Sequence, residues 1–352
     1  MKEPQFTKIS IVIVTWNSLE YVDDCFKSLA SQTYENFSVI VVDNGSTDGT
    51  VEYIKKYFPR AYILRNMKNI GFAKANNQGI KIAKSEYVLI MNPDVVLEKD
   101  YLEKIITFAK ENPQGATFGG KLYKMYQSYI DPSEDHGGMK EFKKSNLLDS
   151  TGLVISKNRK VVNRGEGMAD DSRYAKNEKV FGITGACLLC RKEALEEIKM
   201  RDEYFDADFN TYKEEIDLAW RFLLYGWKNY YVPAAVGYHH RGFASTKIQT
   251  QLTKVKETKN ARKHISKQLR YFSFRNQHFM LIKNEHATNI FFHFPYIAWY
   301  EVKLLTYALV FEPFLWRSVF EVFQKLPTML MKRNYIMRHR KVTAKEMRKY
   351  FK

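Results

Sequence analysis

The sequence predicts an α/β fold, a doubly wound sheet over residues 1–245 followed by a mostly helical, amphipathic region over 246–352. Three observations carry this. Short apolar runs rich in β-branched residues alternate with stretches of helical spacing, the rhythm of a mostly parallel sheet covered on both faces. Three segments near predicted strand ends carry polar tips, namely Val42-Asp43-Asn44-Gly45, Asn69-Ile70-Gly71 and Met91-Asn92-Pro93-Asp94. In an open α/β sheet, that end is where ligands bind. Finally, charge divides the chain sharply: residues 246–352 hold 22 Lys+Arg against 6 Asp+Glu, whereas residues 1–245 hold 34 against 33.

In order along the chain, Lys8–Val14 reads as a buried strand, broken by Thr15-Trp16-Asn17-Ser18. Leu19–Ser31 spaces Leu19, Val22, Cys25, Phe26 and Leu29 as a helix does. Phe37–Val42 is a strand, and Asp43 to Thr50 is dense in turn-forming residues. A short helix to Tyr57, a strand at Ala61–Leu64, a helix over Gly71–Ala83 and a strand at Tyr87–Met91 follow. Beyond Asp94 the spacing predicts a helix at Tyr101–Glu111 and a strand at Thr117–Leu122. Residues 123–180 read as a long polar insertion shaping a substrate site, with a strand within Asp149–Ile155. Phe181–Cys190 is predicted as a strand, Arg191–Met200 as a helix, and Asp217–Tyr225 as a helix ended by Gly226. Strands at Asn229–Val232 and Val236–His240 complete the body, so truncation near Gly242 is expected to leave a soluble catalytic unit. Thr246–Lys283 alternates basic and apolar residues as a helix. Phe291–Leu330 is aromatic and amphipathic, interrupted at Pro295, Pro313 and Pro327.

The chain has 352 residues, 45% of them hydrophobic, enough for a sizeable core. Its formal charge of +17 lies almost wholly in the C-terminal region, which should therefore meet an anionic partner. No secretory leader is evident, and no run of about 18 uncharged apolar residues occurs. Three cysteines fit a reducing compartment. Cys187-Leu188-Leu189-Cys190 has redox-motif spacing, but in a strand positions three apart point to opposite faces, so it reads as structural.

The chemistry lies in four places. Asp43 can accept from the N3–H of a pyrimidine base or simply close its turn. Asp94 offers hard oxygens suited to Mg²⁺ or Mn²⁺, with Asn92 as a neutral neighbour, although Asn-Pro-Asp also favours turns. Glu214-Glu215-Ile216-Asp217 lies just before a predicted helix, so one carboxylate can cap it while another takes a proton from a hydroxyl. His239 and His240 follow a strand and are either packed residues or ligands. Gly182-Ile183-Thr184-Gly185 lacks the third glycine and the helix of a dinucleotide fingerprint, and no Walker sequence is present.

These stretches resemble family 2 glycosyltransferases with the GT-A fold, and among them a bacterial rhamnosyltransferase-type branch. The similarity runs through Ile11 to Asn17, Val41 to Gly49, Asn69 to Ala73 with Asn76-Asn77, and Met91 to Asp94. It continues with Asp149 to Gly152, Gly185-Ala186, Arg191, Tyr212 to Arg221 and Tyr238 to His240. The resemblance implies that Thr15, Asn17 and Asp43, with Asn44 beside them, hold the nucleoside. It places Gly71, Asn76 and Asn92 on the diphosphate or donor sugar, and Asp94 and His239 on a Mg²⁺ or Mn²⁺ ion. Glu215 falls at the position of the general base, where the branch more often has aspartate, with Asp217 as the fallback.

The expected activity is inverting transfer of a sugar from a dTDP- or UDP-linked donor, dTDP-L-rhamnose first, to a lipid-linked saccharide in surface polysaccharide synthesis. The expected location is cytoplasmic, peripheral at the inner face of the cell membrane, because a basic, aromatic, amphipathic region suits an anionic bilayer. The alternative is a C-terminal region that packs on the core or forms a homodimer. A nucleic-acid-binding protein would share the charge, but no recognition module of that class is present. A nucleotidyltransferase would show an early Gly-rich phosphate loop, and Ser10–Ser18 contains no glycine.

Overall fold

In the computed structural model of this chain, residues 7–129, 140–240 and 266–352 are described. The N-terminal half alternates β1 (Ile9–Thr15), α1 (Leu19–Ala30), β2 (Phe37–Asp43), α2 (Thr50–Tyr57), β3 (Tyr62–Arg65), α3 (Phe72–Ile82) and β4 (Tyr87–Met91). There follow β5 (Val95–Leu97), α4 (Tyr101–Glu111), β6 (Gly115–Tyr129), β7 (Lys140–Ser150), β8 (Leu153–Ile155), β9 (Val161–Asn163) and β10 (Glu178–Val180). The body closes with β11 (Cys187–Arg191), α5 (Lys192–Ile198), α6 (Glu214–Leu224) and β12 (Lys228–His240). Among the described residues of the C-terminal region there are four α-helices: α7 (Lys267–Asn284), α8 (Ala287–Phe311), α9 (Trp316–His339) and α10 (Ala344–Arg348).

The main sheet runs β10-β12-β6-β11-β4-β1-β2-β3. β4, β1, β2 and β3 are mutually parallel; β11 is antiparallel to both β4 and β6, and β12 is parallel to β6. Thus β6 and β12 run in the direction of β4, and Thr15, Asp43, Met91 and His239 all come to one end of the sheet. This is a mixed, doubly wound sheet.

Both faces of the central strands are buried, which is why they read as unbroken apolar runs. In β4, Val88 and Ile90 enter one core while Tyr87, Leu89 and Met91 enter the other. Cys190 and Cys187 divide the same way, and both are free and buried. Burial pushes the Cys187 thiol up to about 12, against the reactivity of a redox pair.

The structure departs from the sequence reading at several points. Asn229–Val232 and Val236–His240 form one strand with a bulge between Val232 and Val236. The strand predicted from Phe181 begins only at Cys187. The predicted insertion supplies β7 to the sheet edge, through the extended half of β6. Pro295 and Pro327 lie inside α8 and α9, and only Pro313 falls at a break between helices. Of the helix predicted over Thr246–Lys283, residues 246–265 lie outside the described segments.

The core bears on the expectation of a separable body ending near Gly242. Phe279, Met280, Met329, Ile336, Met347 and Phe351 join the same core as Val12, Val42 and Ile90. At about 1.5–3 kcal/mol for each such side chain, their removal rivals the roughly 5–15 kcal/mol that holds a domain folded. A chain ended after Gly242 is therefore expected to aggregate in gel filtration and show no cooperative thermal transition. A monodisperse, cooperatively melting truncation would refute this.

Candidate active site

At the ends of β1 and β2, Thr15 pairs with Asp43 in register, and its hydroxyl donates to Asp43 Oδ1 at 2.9 Å. Ser46 donates its hydroxyl to the same oxygen. The N–H groups of Gly45 and Ser46 donate to Oδ2 at 3.2 and 3.0 Å. Thr15 and Asp43 are fully buried, and their polar atoms serve one another. They build the floor of this end of the sheet and hold the loop after β2. Above them, Asn17 stands at φ +49°, with its Oδ1 accepting from Thr47 N–H at 2.9 Å, and Trp16 is exposed.

Asn44 ties this loop to the segment before α3. Its Oδ1 accepts from Asn66 at 3.0 Å, and its amide reaches Asn69 Oδ1 and the Gly71 carbonyl, each at 3.4 Å. Gly71 precedes α3 at φ +89°, and an added Cβ would sit 1.9 Å from Asn210 Oδ1, so only glycine fits. One turn on, the buried Asn76 donates to the Phe72 carbonyl at 3.0 Å, while its Oδ1 has no hydrogen-bond partner. A buried amide oxygen left this way invites a ligand donor.

At the end of β4, the Asn92 N–H donates to the Ala186 carbonyl at 2.9 Å. The chain turns through Pro93 into β5, which pairs with β12, and the His240 N–H donates to the Asp94 carbonyl at 2.9 Å. This places Asp94 Oδ1 3.4 Å from His239 Nε2. On its other side, His239 Nδ1 lies 2.8 Å from Asp149 Oδ2. Burial opposes a charge on His239, but Asp94 and then Asp149 outweigh it and hold the ring up to about 9.

Asp94 Oδ1 is buried, and beyond its ion pair with His239 it accepts no hydrogen bond. With a divalent ion present, Asp94 and the Nε2 of a neutral His239 would be its two protein ligands. Asp149 would then orient the ring through Nδ1–H, the usual carboxylate support of a ligating histidine. The described residues contain no group of three or more His, Cys, Asp or Glu side chains able to hold a metal. Two ligands nevertheless suit an ion that completes its shell with phosphate oxygens and water.

The acidic cluster lies inside α6, occupying its first turn, rather than ahead of it. Lys213, at φ +68°, is the residue before the helix and makes no side-chain cap, so Asp217 is not the cap the sequence suggested. Nor can Asp217 serve as the fallback base. It is fully buried, with Arg221 Nε at 3.0 Å, Lys283 Nζ at 2.8 Å and Asn284 Nδ2 at 2.7 Å. Glu214 is buried as well, and burial, reinforced by Glu215 and Asp217, pushes its carboxyl well above the usual carboxylate range. Glu215 alone of the three retains partial exposure. Its Cβ and Cγ stand against Gly185, beside the Ala186 carbonyl that receives the Asn92 N–H. The helix thus brings Glu215 toward the Asn92–Asp94 turn.

The approach to α6 is strained: Asn210, Tyr212 and Lys213 all have positive φ. The C-terminal region holds it. Asn276 of α7 donates to the carbonyls of Phe209, Thr211 and Tyr212 at 2.9, 2.9 and 2.7 Å. Arg275 donates to those of Asp208 and Phe209.

Comparison with known proteins now adds to this geometry. The sequence profile described as "Glycosyl transferase family 2" matches residues 10–199. The chain belongs to glycosyltransferase family 2. Within that family it is 32% identical over 117 residues to an uncharacterized glycosyltransferase of Haemophilus influenzae, covering 32% of this chain and 36% of that protein. It is 37% identical over 118 residues to the poly(ribitol-phosphate) beta-glucosyltransferase of Bacillus spizizenii, covering 32% and 19%. The chain therefore spans only about a third or less of these two relatives' lengths. A longer match, 25% identical over 256 residues, is to the N-acetylglucosaminyl-diphospho-decaprenol L-rhamnosyltransferase of Mycobacterium tuberculosis, covering 67% of this chain and 77% of that one. The solved structure of GalNAc-T7 with UDP, GalNAc and Mn²⁺ superposes with a TM-score of 0.54 at 11% identity, over 82% of this chain and 55% of that chain. That likeness establishes the GT-A fold alone.

Three side-chain roles in the site were not read from the sequence, although Asp149 heads a stretch through which the resemblance already ran. Asp149 supports His239, Asn210 fills the space beside Gly71, and Asn276 clamps the strained loop. Asp149 was signalled by its place just before a Ser-Thr-Gly turn. Asn210 and Asn276 carry no local signal, because their partners lie far away in sequence.

Proposed function

We propose that the protein transfers a sugar from a nucleoside-diphosphate donor to a hydroxyl acceptor with inversion at the anomeric carbon. The observation that carries this reading is the Asp94–His239–Asp149 array at the strand ends, with Glu215, against Gly185 in the first turn of α6, as the carboxylate we assign to the acceptor. Asp94 and His239 would hold Mg²⁺ or Mn²⁺, whose charge balances that developing on the leaving diphosphate. The loop closed by Thr15 and Asp43 shapes the nucleoside seat, leaving the exposed Trp16 and Asn17 within reach of the base. The Asn76 carbonyl accepts from a donor-sugar hydroxyl, and the Gly71 backbone flanks it.

Glu215 takes the proton of the acceptor hydroxyl. The acceptor oxygen forms its bond to the anomeric carbon as the carbon–oxygen bond to phosphate breaks, and the electron pair leaves with the nucleoside diphosphate. For the substrates we favour dTDP-L-rhamnose and a lipid-linked saccharide, in bacterial surface polysaccharide synthesis at the cytoplasmic face of the membrane. The mycobacterial relative, which aligns over most of its length, supports this through its named activity. The named glucosyltransferase supports a UDP-sugar as the rival donor.

The deciding experiment screens hydrolysis and transfer against dTDP-, UDP- and GDP-sugars with Mg²⁺ and Mn²⁺. Turnover of none would overturn the reading. A companion prediction concerns Asp94→Ala. The parent should bind dTDP or UDP more tightly with Mn²⁺, whereas the variant should bind equally with and without it and melt like the parent. Calorimetry that finds the metal response intact in the variant removes Asp94 from this role.

A further inference from the structure

The helix α8 is built inside out. Over 25 residues its buried positions are Asn289, His293 and Ala308, and its half-buried Glu301 bonds His278 of α7 at 3.0 Å. Its outward positions are mostly apolar, with Thr288, Lys303 and Thr306 among them. Phe291, Phe292, Phe294, Trp299, Leu309 and Val310 are each about 60–80% exposed. A helix folded for water turns its polar face outward; this one turns polar groups toward the protein and aromatics away from it. After the break at Pro313, Trp316, Phe320 and Phe323 extend an exposed stripe along α9 at helical spacing.

Cationic groups stand among these rings. Lys303 Nζ lies 4.7 Å from the Trp299 ring, Lys157 Nζ 5.6 Å from that of Tyr296, and the Arg348 guanidinium 4.2 Å from that of Phe292. Tyr296, Trp299, Lys157, Lys303 and Lys352 also line a cavity of about 370 Å³ between α8 and the turn after β8.

We infer that the outer face of α8, with the stripe along α9, seats on the headgroup layer of an anionic phospholipid leaflet, and that the Lys157–Lys303–Lys352 cavity takes a lipid phosphate. None of the described helices is long and apolar enough to cross a membrane, so the geometry is that of a helix lying in the interface. Aromatic rings at the acyl boundary with lysines reaching to phosphate are the composition that such a helix needs. The net excess of 16 positive charges in residues 246–352 adds attraction to anionic lipid. A second copy of the chain is the poorer occupant. A twofold pairing presents the same patch on both sides, bringing Lys157, Lys303, Arg348 and Lys352 against their own images. Because α7 clamps the loop before α6, a seated α8 also sets Glu215 at a fixed relation to the bilayer. Seating on lipid in this way is independent of which sugar is transferred.

The test is flotation of the full chain with phosphatidylcholine vesicles, with and without about 30% phosphatidylglycerol, at low and moderate salt. The parent should float with the anionic vesicles, and less so as salt rises. Phe291→Ser/Phe294→Ser/Trp299→Ser should partition at least about tenfold more weakly, with unchanged melting and nucleotide binding. Lys157→Glu/Lys303→Glu, at two exposed positions, should lose the preference for anionic lipid and keeps the test open if the triple variant misfolds. A parent that floats with neither vesicle overturns the inference. So does a triple variant that floats like the parent, or one whose only change is from dimer to monomer in light scattering. Failure here would leave donor turnover intact, so it is separable from failure of the proposed activity.

Discussion

Glu215→Gln is expected to lower turnover on the order of 10²–10⁴-fold, the usual loss when a general base is removed, while nucleotide-sugar affinity stays nearly unchanged. Glutamine keeps the length and shape of the side chain but cannot accept the acceptor's proton. The fold should survive, because glutamine matches glutamate in size and Glu215 lies at the partly exposed start of α6, against Gly185; what the change removes is the attraction of Glu215 for the neighbouring Lys213. Glu215→Asp keeps a carboxylate one methylene further back and should retain more activity than the glutamine variant. Steady-state kinetics on the identified donor, with calorimetry for its binding, separate loss of the chemical step from loss of affinity. Normal turnover by Glu215→Gln would dismiss it as the base. Asp217 could not then take its place, since its two oxygens are occupied by Arg221, Lys283 and Asn284.

The parts legible in the sequence were those set by local pattern. β1, β2 and β4 announced themselves because each buries both faces, and Asp94 did so because it puts a carboxylate in the turn just past the end of a buried strand. His239 was legible as a candidate, but its partners Asp94 and Asp149 come from two other strands. What stayed hidden depends on contacts across the chain. The sequence reading starts this helix at Asp217 and sets Glu214 and Glu215 ahead of it as capping or proton-accepting carboxylates, yet all three lie in its first turn and Glu214 and Asp217 are buried. Burial of Asp217 becomes tolerable only through Lys283, distant in sequence and itself fully buried. The C-terminal region reads as a basic tail directed at an anionic partner, with packing on the core as the alternative, because composition alone does not place its lysines. Lys283 and Lys332 instead point inward to Asp206, and Lys332 also reaches Asp208 at 2.7 Å. Composition tells how many lysines there are and not which ones find a buried carboxylate.

Lys283→Met is expected to destabilise the protein by about 3–5 kcal/mol, the range for breaking a buried ion pair from one side. Lys283 Nζ bridges Asp206 Oδ2 at 2.5 Å and Asp217 Oδ1 at 2.8 Å, and all three side chains are fully buried. Methionine nearly matches the lysine stem in size, so the loss comes from two carboxylates deprived of a cation and not from a cavity. Burial alone would raise both carboxyls, but the surrounding cations, led by Lys283, outweigh it and hold Asp206 and Asp217 below the usual carboxylate range. With folded values below the unfolded value of about 4, these groups contribute stability that is complete above that pH and is lost as pH falls through the folded values. The parent should therefore weaken progressively on the acid side. The variant should begin lower and show a flatter acid slope, because its carboxyls are no longer depressed to the same degree. Adding Asp217→Asn to Lys283→Met should cost less than the sum of the two single changes, since each removes part of the same interaction. Denaturant unfolding between pH 3 and 8 measures all three effects. A Lys283→Met protein with parental stability and an unchanged acid slope would mean that α7 is not fastened to α6 through this cluster. The hold of α7 on α6 and the loop before it would then rest on the clamp made by Asn276 and Arg275 and on the Gln277–Lys213 and Asn284–Asp217 bonds.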